Sequence, residues 1–207
     1  GTARRMSITT YAELQSAIAD FLNRDDLTSA MPTFIALAEA NFERDIEHWR
    51  REASTTTSVS SRYSALPSDF SSLVRLSLQG DHDALSPMSL NEMAKRRAQI
   101  NDTEGRPTHY ALTGGEIELF PTPGDTYTLE WVYARTIPPL SDSATTNWLL
   151  TLAPDLYLYG SLVHTAPYLK EDNRTAVWAS MYQAALDAVN ADGQRGKWSG
   201  PLRMRVK

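Results

Sequence analysis

The stretch Tyr110-Ala111-Leu112-Thr113-Gly114-Gly115-Glu116-Ile117-Glu118-Leu119 reads as a β-hairpin. Tyr110 and Leu112 lead in, Ile117 and Leu119 lead out, and two adjacent glycines reach the positive φ values that so tight a turn demands. Downstream, Tyr127, Leu129, Trp131 and Tyr133 alternate with Thr128, Glu130 and Val132, which predicts a further strand with one aromatic face. Upstream, Val74, Leu76 and Leu78 alternate with Arg75 and Ser77 as in a half-buried strand. Before them come a Ser, Thr and Val run from Ser54 and a Leu66-Pro67-Ser68-Asp69 turn. Gly80 to Asp83 reads as a loop, and Ser89 with Glu92 opens a short helix running to about Ile100. Together these elements predict a small, mostly antiparallel sheet.

On both sides of this region the apolar period becomes helical. Thr10 with Glu13 forms a capping box ahead of a stripe of Tyr11, Leu14, Ile18, Phe21 and Leu22. After a polar connector, Asn23 to Asp26, Thr28 or Ser29 caps a second helix with Pro32 in its first turn and a core face of Phe34, Ala38, Phe42, Ile46 and Trp49. Joined by so short a loop, the two helices are expected to pack as an antiparallel hairpin. Beyond Ile137-Pro138-Pro139-Leu140, Pro154 opens a helix with Leu156, Tyr157, Tyr159, Leu162 and Val163. That helix is apolar almost all round and therefore central, with Gly160 allowing a close neighbour and Pro167 ending or kinking it. Asp172 or Asn173 then caps a long helix bearing Val177, Met181, Ala185, Ala188 and Val189, with Gly193 as its C-cap.

The fold class is α+β, mainly α: a helical bundle core with an inserted small antiparallel β-sheet and an extended C-terminal arm. Residues 1-52 form the N-terminal helical hairpin, 53-140 the inserted β-rich region with one short helix, 141-192 the helices completing the core, and 193-207 the arm. A chain of 207 residues suits one domain with an insertion and is long enough to fold unaided. No apolar run approaches the roughly 20 residues needed to span a bilayer. Gly1 to Arg5, ahead of Met6, lack the apolar segment of an export signal and are set aside from the fold. The absence of cysteine excludes disulfides and thiolate metal ligands, and fits assembly in a reducing cytoplasm. A net charge of -5 argues against a free duplex-binding domain, while an acidic surface suits a place where DNA slides past without sticking.

No arrangement of residues points to catalysis, a metal or a cofactor. His48, His82, His109 and His164 are scattered and form no metal-binding pair. His82, between Asp81 and Asp83, is read as part of a solvated turn rather than an acid-base cluster. Glu116, Glu118 and Glu130 alternate with apolar residues as a pair of glycosidase carboxylates would, but the solvent side of a sheet accounts for them. No phosphate-binding loop, nucleophile elbow or cysteine nucleophile is present. Tyr127, Trp131 and Tyr133 have the chemistry to stack bases or sugars, yet at period two they read first as a sheet core. Tyr157, Tyr159 and Tyr168 read as core or subunit-interface residues.

The last fifteen residues are different. Gly193 to Lys207 carry Arg195, Lys197, Arg203, Arg205 and Lys207 with no acid, together with Gly196, Gly200, Pro201, Trp198, Leu202, Met204 and Val206. Such a segment builds no core alone, but it offers apolar anchors and positive charge to a partner. Trp198, between polar and glycine neighbours, is the kind of large aromatic that anchors interfaces.

Several stretches resemble the adaptor, or head-to-tail connector, proteins of tailed bacteriophages. They begin with Ile8-Thr9-Thr10-Tyr11-Ala12-Glu13-Leu14-Gln15, Phe21-Leu22-Asn23-Arg24-Asp25-Asp26-Leu27 and Pro32-Thr33-Phe34-Ile35-Ala36-Leu37-Ala38-Glu39-Ala40. Leu66-Pro67-Ser68-Asp69-Phe70, Gly114-Gly115-Glu116-Ile117 and Tyr127-Thr128-Leu129-Glu130 follow in the same order, then Thr146-Asn147-Trp148-Leu149-Leu150 and Ala153-Pro154-Asp155-Leu156-Tyr157-Leu158-Tyr159-Gly160. The resemblance covers roughly Ile8 to Asn190 and leaves out the tail beyond Gly193. It implies a non-enzymatic virion protein of the neck, assembled in the host cytoplasm. Such a protein forms a ring, usually twelvefold, that seals the portal, joins a tail or nozzle protein and lets DNA pass without specific binding. On that reading Trp198, Leu202, Arg203, Met204 and Arg205 dock onto portal subunits, with Arg195 and Lys197 adding charge complementarity. The adjacent subunit or a tail protein is the alternative acceptor. The competing function is a carbohydrate- or nucleic-acid-binding module that uses Tyr127, Trp131 and Glu130 of the inserted sheet. A wall-digesting enzyme using Glu116 or Glu118 is a third.

Overall fold

The computed structural model describes residues 7–169 and 173–197. The chain is mixed α+β and mainly α, and it divides into two compact units, Gly1–Arg50 with Ile137–Lys207 and Arg51–Thr136.

The first unit is helical. Helix α1 (Tyr11–Leu22) begins with the predicted capping box: the Thr10 hydroxyl accepts from the Glu13 N–H while the Glu13 carboxylate accepts from the Thr10 N–H. It ends at Asn23 in the left-handed region, φ 52°, a conformation asparagine tolerates. Thr28–Ala30 forms one 3₁₀ turn and helix α2 (Met31–Asp45) follows with Pro32 in its first turn, so neither Thr28 nor Ser29 is its cap. Helices α4 (Trp148–Leu152) and α5 (Pro154–Val163) are joined through Ala153, and α6 runs Arg174–Lys197.

Helix α5 is the centre of this unit. Leu156, Tyr157, Leu158, Gly160, Ser161 and Leu162 are all buried, and the helix touches α1, α2, α4 and α6. Accordingly α1 and α2 pack chiefly on α5 rather than on each other, and the expected two-helix hairpin does not form the packing unit. At Gly160 the close neighbours are aromatic rings: a Cβ there would stand 3.0 Å from the Phe42 ring and 3.3 Å from the ring of Tyr182. One network of polar groups runs through the bundle, while Ser161 Oγ on α5 and Tyr182 Oη on α6 are buried without a hydrogen-bond partner among the described residues. The Asn147 carboxamide oxygen caps α4 at Leu150 N–H, and its nitrogen donates to Pro138 O and Tyr157 Oη; Tyr157 Oη in turn donates to Glu39, which also accepts from Leu140 N–H. Burial raises the pKa of Glu39 and, with the added effect of that carboxylate, of Tyr157.

Two expected core faces are displaced. Trp49 is 43% exposed, because α2 stops at Asp45 and Trp49 lies in a separate 3₁₀ turn. On α6 the inward face is Trp178, Ala185, Leu186, Val189 and Gly193, with Tyr182 half-buried, whereas Val177 and Met181 face solvent and Ala188 is exposed. Apolar residues on α6 satisfy a helical period along either face, and packing against α5 selects one.

The second unit contains two sheets. Strands β1 (Glu52–Val59), β3 (Phe70–Leu78) and β7 (Tyr127–Arg135) form an antiparallel sheet in the order β1-β7-β3. Strands β2 (Tyr63–Ala65), β4 (Ser86–Pro87), β5 (His109–Thr113) and β6 (Glu116–Phe120) form a second in the order β2-β6-β5-β4, with β4 parallel to β5. The predicted hairpin is β5-β6, with Gly114 at φ +54°. Both sheets contribute to one core of Val59, Leu76, Leu78, Leu85, Ile117, Leu119, Leu129, Trp131 and Tyr133. Bulges in β3 shift its register between Leu73 and Arg75, which leaves Val74 exposed, contrary to the alternation in its sequence. Ser89 caps helix α3 (Leu90–Gln99) as expected, and Met93 of this helix packs with Ala111 and Phe120.

Glu118 departs most from the sequence reading, for it is buried rather than solvent-facing. Its Oε1 accepts from Arg97 Nε of α3 at 3.2 Å and from Arg62 Nε at 2.8 Å. Arg97 is equally buried and also donates to Asp102, Thr122 and the Leu119 carbonyl, so its charge is compensated and its donors are occupied. Removing the carboxylate leaves the buried guanidinium with only the largely exposed Asp102 as counter-charge among the described residues, so Glu118→Ala is expected to lower stability by about 3 kcal/mol. Glu116→Ala, on an exposed position of the same strand, is expected to change it by no more than about 0.5 kcal/mol. Chemical denaturation followed by Trp fluorescence measures both.

Candidate functional site

Two of the residues assigned to partner binding, Arg195 and Lys197, lie on the last turn of α6 and are exposed; Trp198, Leu202, Arg203, Met204 and Arg205 lie outside the described residues. The position of that last turn follows from a seam between α6 and residues 45–50. Asn190 spans the end of α2: its Oδ1 accepts from Glu47 N–H at 2.9 Å, and its Nδ2 donates to the Asp45 carbonyl at 3.0 Å. Close by on the same helix, Asp192 faces His48, whose Nε2 lies 3.2 Å from Asp192 Oδ2. His48 Nδ1 accepts from Arg50 N–H at 3.1 Å, so the ring's proton resides on Nε2 and is donated to the carboxylate. The imidazole is buried among aromatics, with centroids 5.3 Å from Trp148 and 5.7 Å from Trp49.

Two glycines let the backbones meet. A Cβ on Gly193 would stand 2.7 Å from the Glu47 carbonyl oxygen and 3.0 Å from His48 Cα, and a Cβ on Gly196 would collide with the Trp49 indole. Gly193 is therefore not the expected C-cap. It is buried inside the helix as a notch for the 47–48 backbone, and α6 continues to Lys197. A C-terminal glycine signals helix termination and close packing alike, so the spacing alone did not separate them. The seam thus carries Arg195 and Lys197 outward at the point where the basic segment begins. Among the described residues Arg195 pairs with Asp192 at 3.8 Å, with most of its side chain in solvent, an arrangement that adds little stability.

The other candidate chemistries look different in three dimensions. His82 sits in an exposed turn whose Asp81 pairs with Arg106. Glu116 is exposed and Glu118 is held between two arginines, so the two do not face a common cleft. Trp131 is 1% exposed and Tyr133 is buried, both in the core shared by the two sheets. Tyr127 is half-buried beneath the Arg106 guanidinium. The aromatic face needed by the carbohydrate or nucleic-acid reading is thus consumed by packing. Among the described residues no group of three or more His, Cys, Asp or Glu side chains is placed to hold a metal ion, and no helix is long and apolar enough to cross a membrane.

Gly193→Ala tests the seam. Its added methyl meets backbone that has no rotamer by which to move aside, so the variant is expected to lose about 1–3 kcal/mol and to shift the fluorescence of Trp49 and Trp148. Gln194→Ala, on the exposed side of the same turn, is expected to be silent in both measurements.

The sequence profile described as SU10 adaptor protein matches residues 9–205. That span takes in the basic tail, so the resemblance does not stop near Asn190 as expected from the stretches quoted above. No curated protein matches the chain significantly. A match over nearly the whole length, on a chain that folds as the mainly helical α+β protein the resemblance implies, shows that this protein belongs to the SU10 adaptor protein family of bacteriophage structural adaptors.

Proposed function

We propose that the protein is the ring-forming subunit of the head-to-tail connector. It sits in the virion neck below the portal, closes the portal opening, gives the tail or nozzle protein its platform and lets DNA pass. The observation that carries this reading is the family match over residues 9–205. Copies arranged in a ring, twelvefold on this reading, require a lateral contact, and the solvent face of α6 offers one. Val177 and Met181, one turn apart, are 55% and 48% exposed, and Ala184, Ala188 and Ala191 continue the same stripe at spacings of three and four. An exposed apolar stripe at helical spacing suits a neighbouring subunit.

Passage of DNA without capture calls for surface that repels phosphate. The exposed carboxylates Glu13 and Asp20 of α1, and Asp142 and Asp155 of the 137–155 stretch, stand in segments that contain neither Lys nor Arg. Cationic contact is concentrated instead in Arg195, Lys197 and the segment that follows. We assign Arg195, Lys197, Trp198, Leu202, Arg203, Met204 and Arg205 to attachment, with the portal or a neighbouring copy as acceptor.

Deletion of residues 198–207 is expected to leave a folded protein, by circular dichroism and thermal denaturation, that no longer attaches to portal-containing heads in a sedimentation assay. Undiminished attachment overturns the role of the segment. Imaging of particles that lack the protein at the neck overturns the connector reading itself.

A further inference from the structure

The two outer strands of the β1-β7-β3 sheet differ in how their free edges are protected. Strand β3 is broken by two register shifts and carries exposed Arg75, features that discourage pairing with another chain. Strand β1 has none of these. It pairs with β7 in unbroken register from Glu52 to Val59, and from Ala53 to Ser61 it contains no proline and no charged residue. Ser54, Thr55, Thr56 and Ser58 are exposed, and among the described residues the backbone of Ala53–Val59 bonds only to β7. Every second residue of Ala53–Val59 therefore directs its N–H and C=O away from β7, and among the described residues no strand pairs with that edge. An edge this long and regular is a template for strand addition.

The chain contains a segment suited to fill it. Leu202-Arg203-Met204-Arg205-Val206-Lys207 alternates apolar and cationic residues without exception, the period of a strand with one apolar and one charged face. Pro201 precedes it, with no N–H and a strong bias against helix in the residue before. Six extended residues cover about 20 Å, close to the length of the free β1 edge.

The two faces of the sheet match the two faces of that segment. In the observed register Ser54, Thr56 and Ser58 lie on the side of Val132, Glu130 and Thr128, whereas Thr55 and Thr57 lie on the side of Trp131 and Leu129. A strand added to β1 with Leu202, Met204 and Val206 on the Trp131 side extends the apolar core over the edge. Arg203, Arg205 and Lys207 then fall on the side of Glu130, while Arg75 stands two strands away on β3.

We propose that β1 is a docking edge for the C-terminal segment, Leu202–Lys207, of a second copy of this chain. Each copy has one such edge and one such segment, so the contact is head-to-tail and is satisfied throughout a closed ring. The inference rests on the connector reading and narrows its acceptors: residues 202–207 hold the neighbouring copy, and loss of that contact around the ring is what costs the shortened chain its attachment to portal-containing heads. Main-chain hydrogen bonds supply the adhesion, and the alternation fixes which face of the segment meets the core.

The cysteine-free sequence gives a clean test. Particles are assembled from full-length chains carrying Met204→Cys together with Thr55→Cys, Thr56→Cys or Thr57→Cys, oxidised, and run on non-reducing gels. The expected result is a ladder of covalent multimers from at least one of the three pairs. No ladder is expected from Met204→Cys paired with Ser16→Cys on α1. If the protein is present in the neck but the thiol introduced by Met204→Cys links within its own chain, links to another virion protein or stays unreacted, the docking proposal is overturned and the connector reading stands. If the unsubstituted protein is missing from the neck, both fall together.

Discussion

Helix α5, ten residues with an apolar surface nearly all round, has to be covered on every side. No single neighbour can do that. The cover comes from α1 and α2, which precede the sheet region in sequence, and from α4 and α6, which surround it after the chain returns at Ile137. Burying α5 therefore forces chain segments more than a hundred residues apart into one unit, and the stretch between them becomes an insertion with its own core. The fit at Gly160, where a Cβ would stand 3.0 Å from the Phe42 ring and 3.3 Å from the Tyr182 ring, shows how closely that cover is drawn. The burial of α5 sets the inward face of α6, and the seam with residues 45–50 then places its last turn.

Most buried polar groups with a structural role in the two units are tied into hydrogen-bonded networks, although Trp131 Nε1, Ser161 Oγ and Tyr182 Oη have no hydrogen-bond partner among the described residues. Asn147, Tyr157 and Glu39 form a hydrogen-bonded chain that caps one helix and ties the 137–140 segment to α2. In the second unit Arg97 and Glu118 share a buried contact that joins α3 to β6. Paired in this way, a buried ion contributes orientation more than net stability, since the desolvation of two charges nearly cancels their attraction. The gain is orientation within each unit: α3 is fixed on β6 in one, and the 137–140 segment on α2 in the other.

Local signals were legible wherever the chemistry closes within a few residues. Thr10 and Glu13, Ser89 and Glu92, and the glycine pair at 114 and 115 specify their caps and turn through hydrogen bonds and backbone freedom confined to one turn of chain. The inward aromatic face of β7 was legible because period-two alternation leaves one choice. Legibility failed where two readings share one pattern. Val177 and Met181 keep a helical period as well as Trp178, Leu186 and Val189 do, and only the surface of α5 distinguishes them. Glu118 alternates as a solvent-facing residue would, yet α3 and Arg62 cover it. Gly193 has the position of a helix terminator and acts as a packing notch.

For the basic C-terminal residues the division is similar. The sequence alone determined that the C-terminal segment is cationic, carries apolar anchors and is poor in core-forming potential, because charge and side-chain chemistry do not depend on fold. Periodicity likewise determined the order helices, strands, helices, since a period of two and a period of 3.6 cannot be satisfied by the same backbone. Only the tertiary structure decided which faces are spent on packing and which remain: that Trp131 is interior, that the α6 stripe and the β1 edge face outward, and that Arg195 leaves the bundle beside His48 and Trp49. The reason is that burial is a property of pairs of surfaces, and the partner of each surface lies far away in the chain.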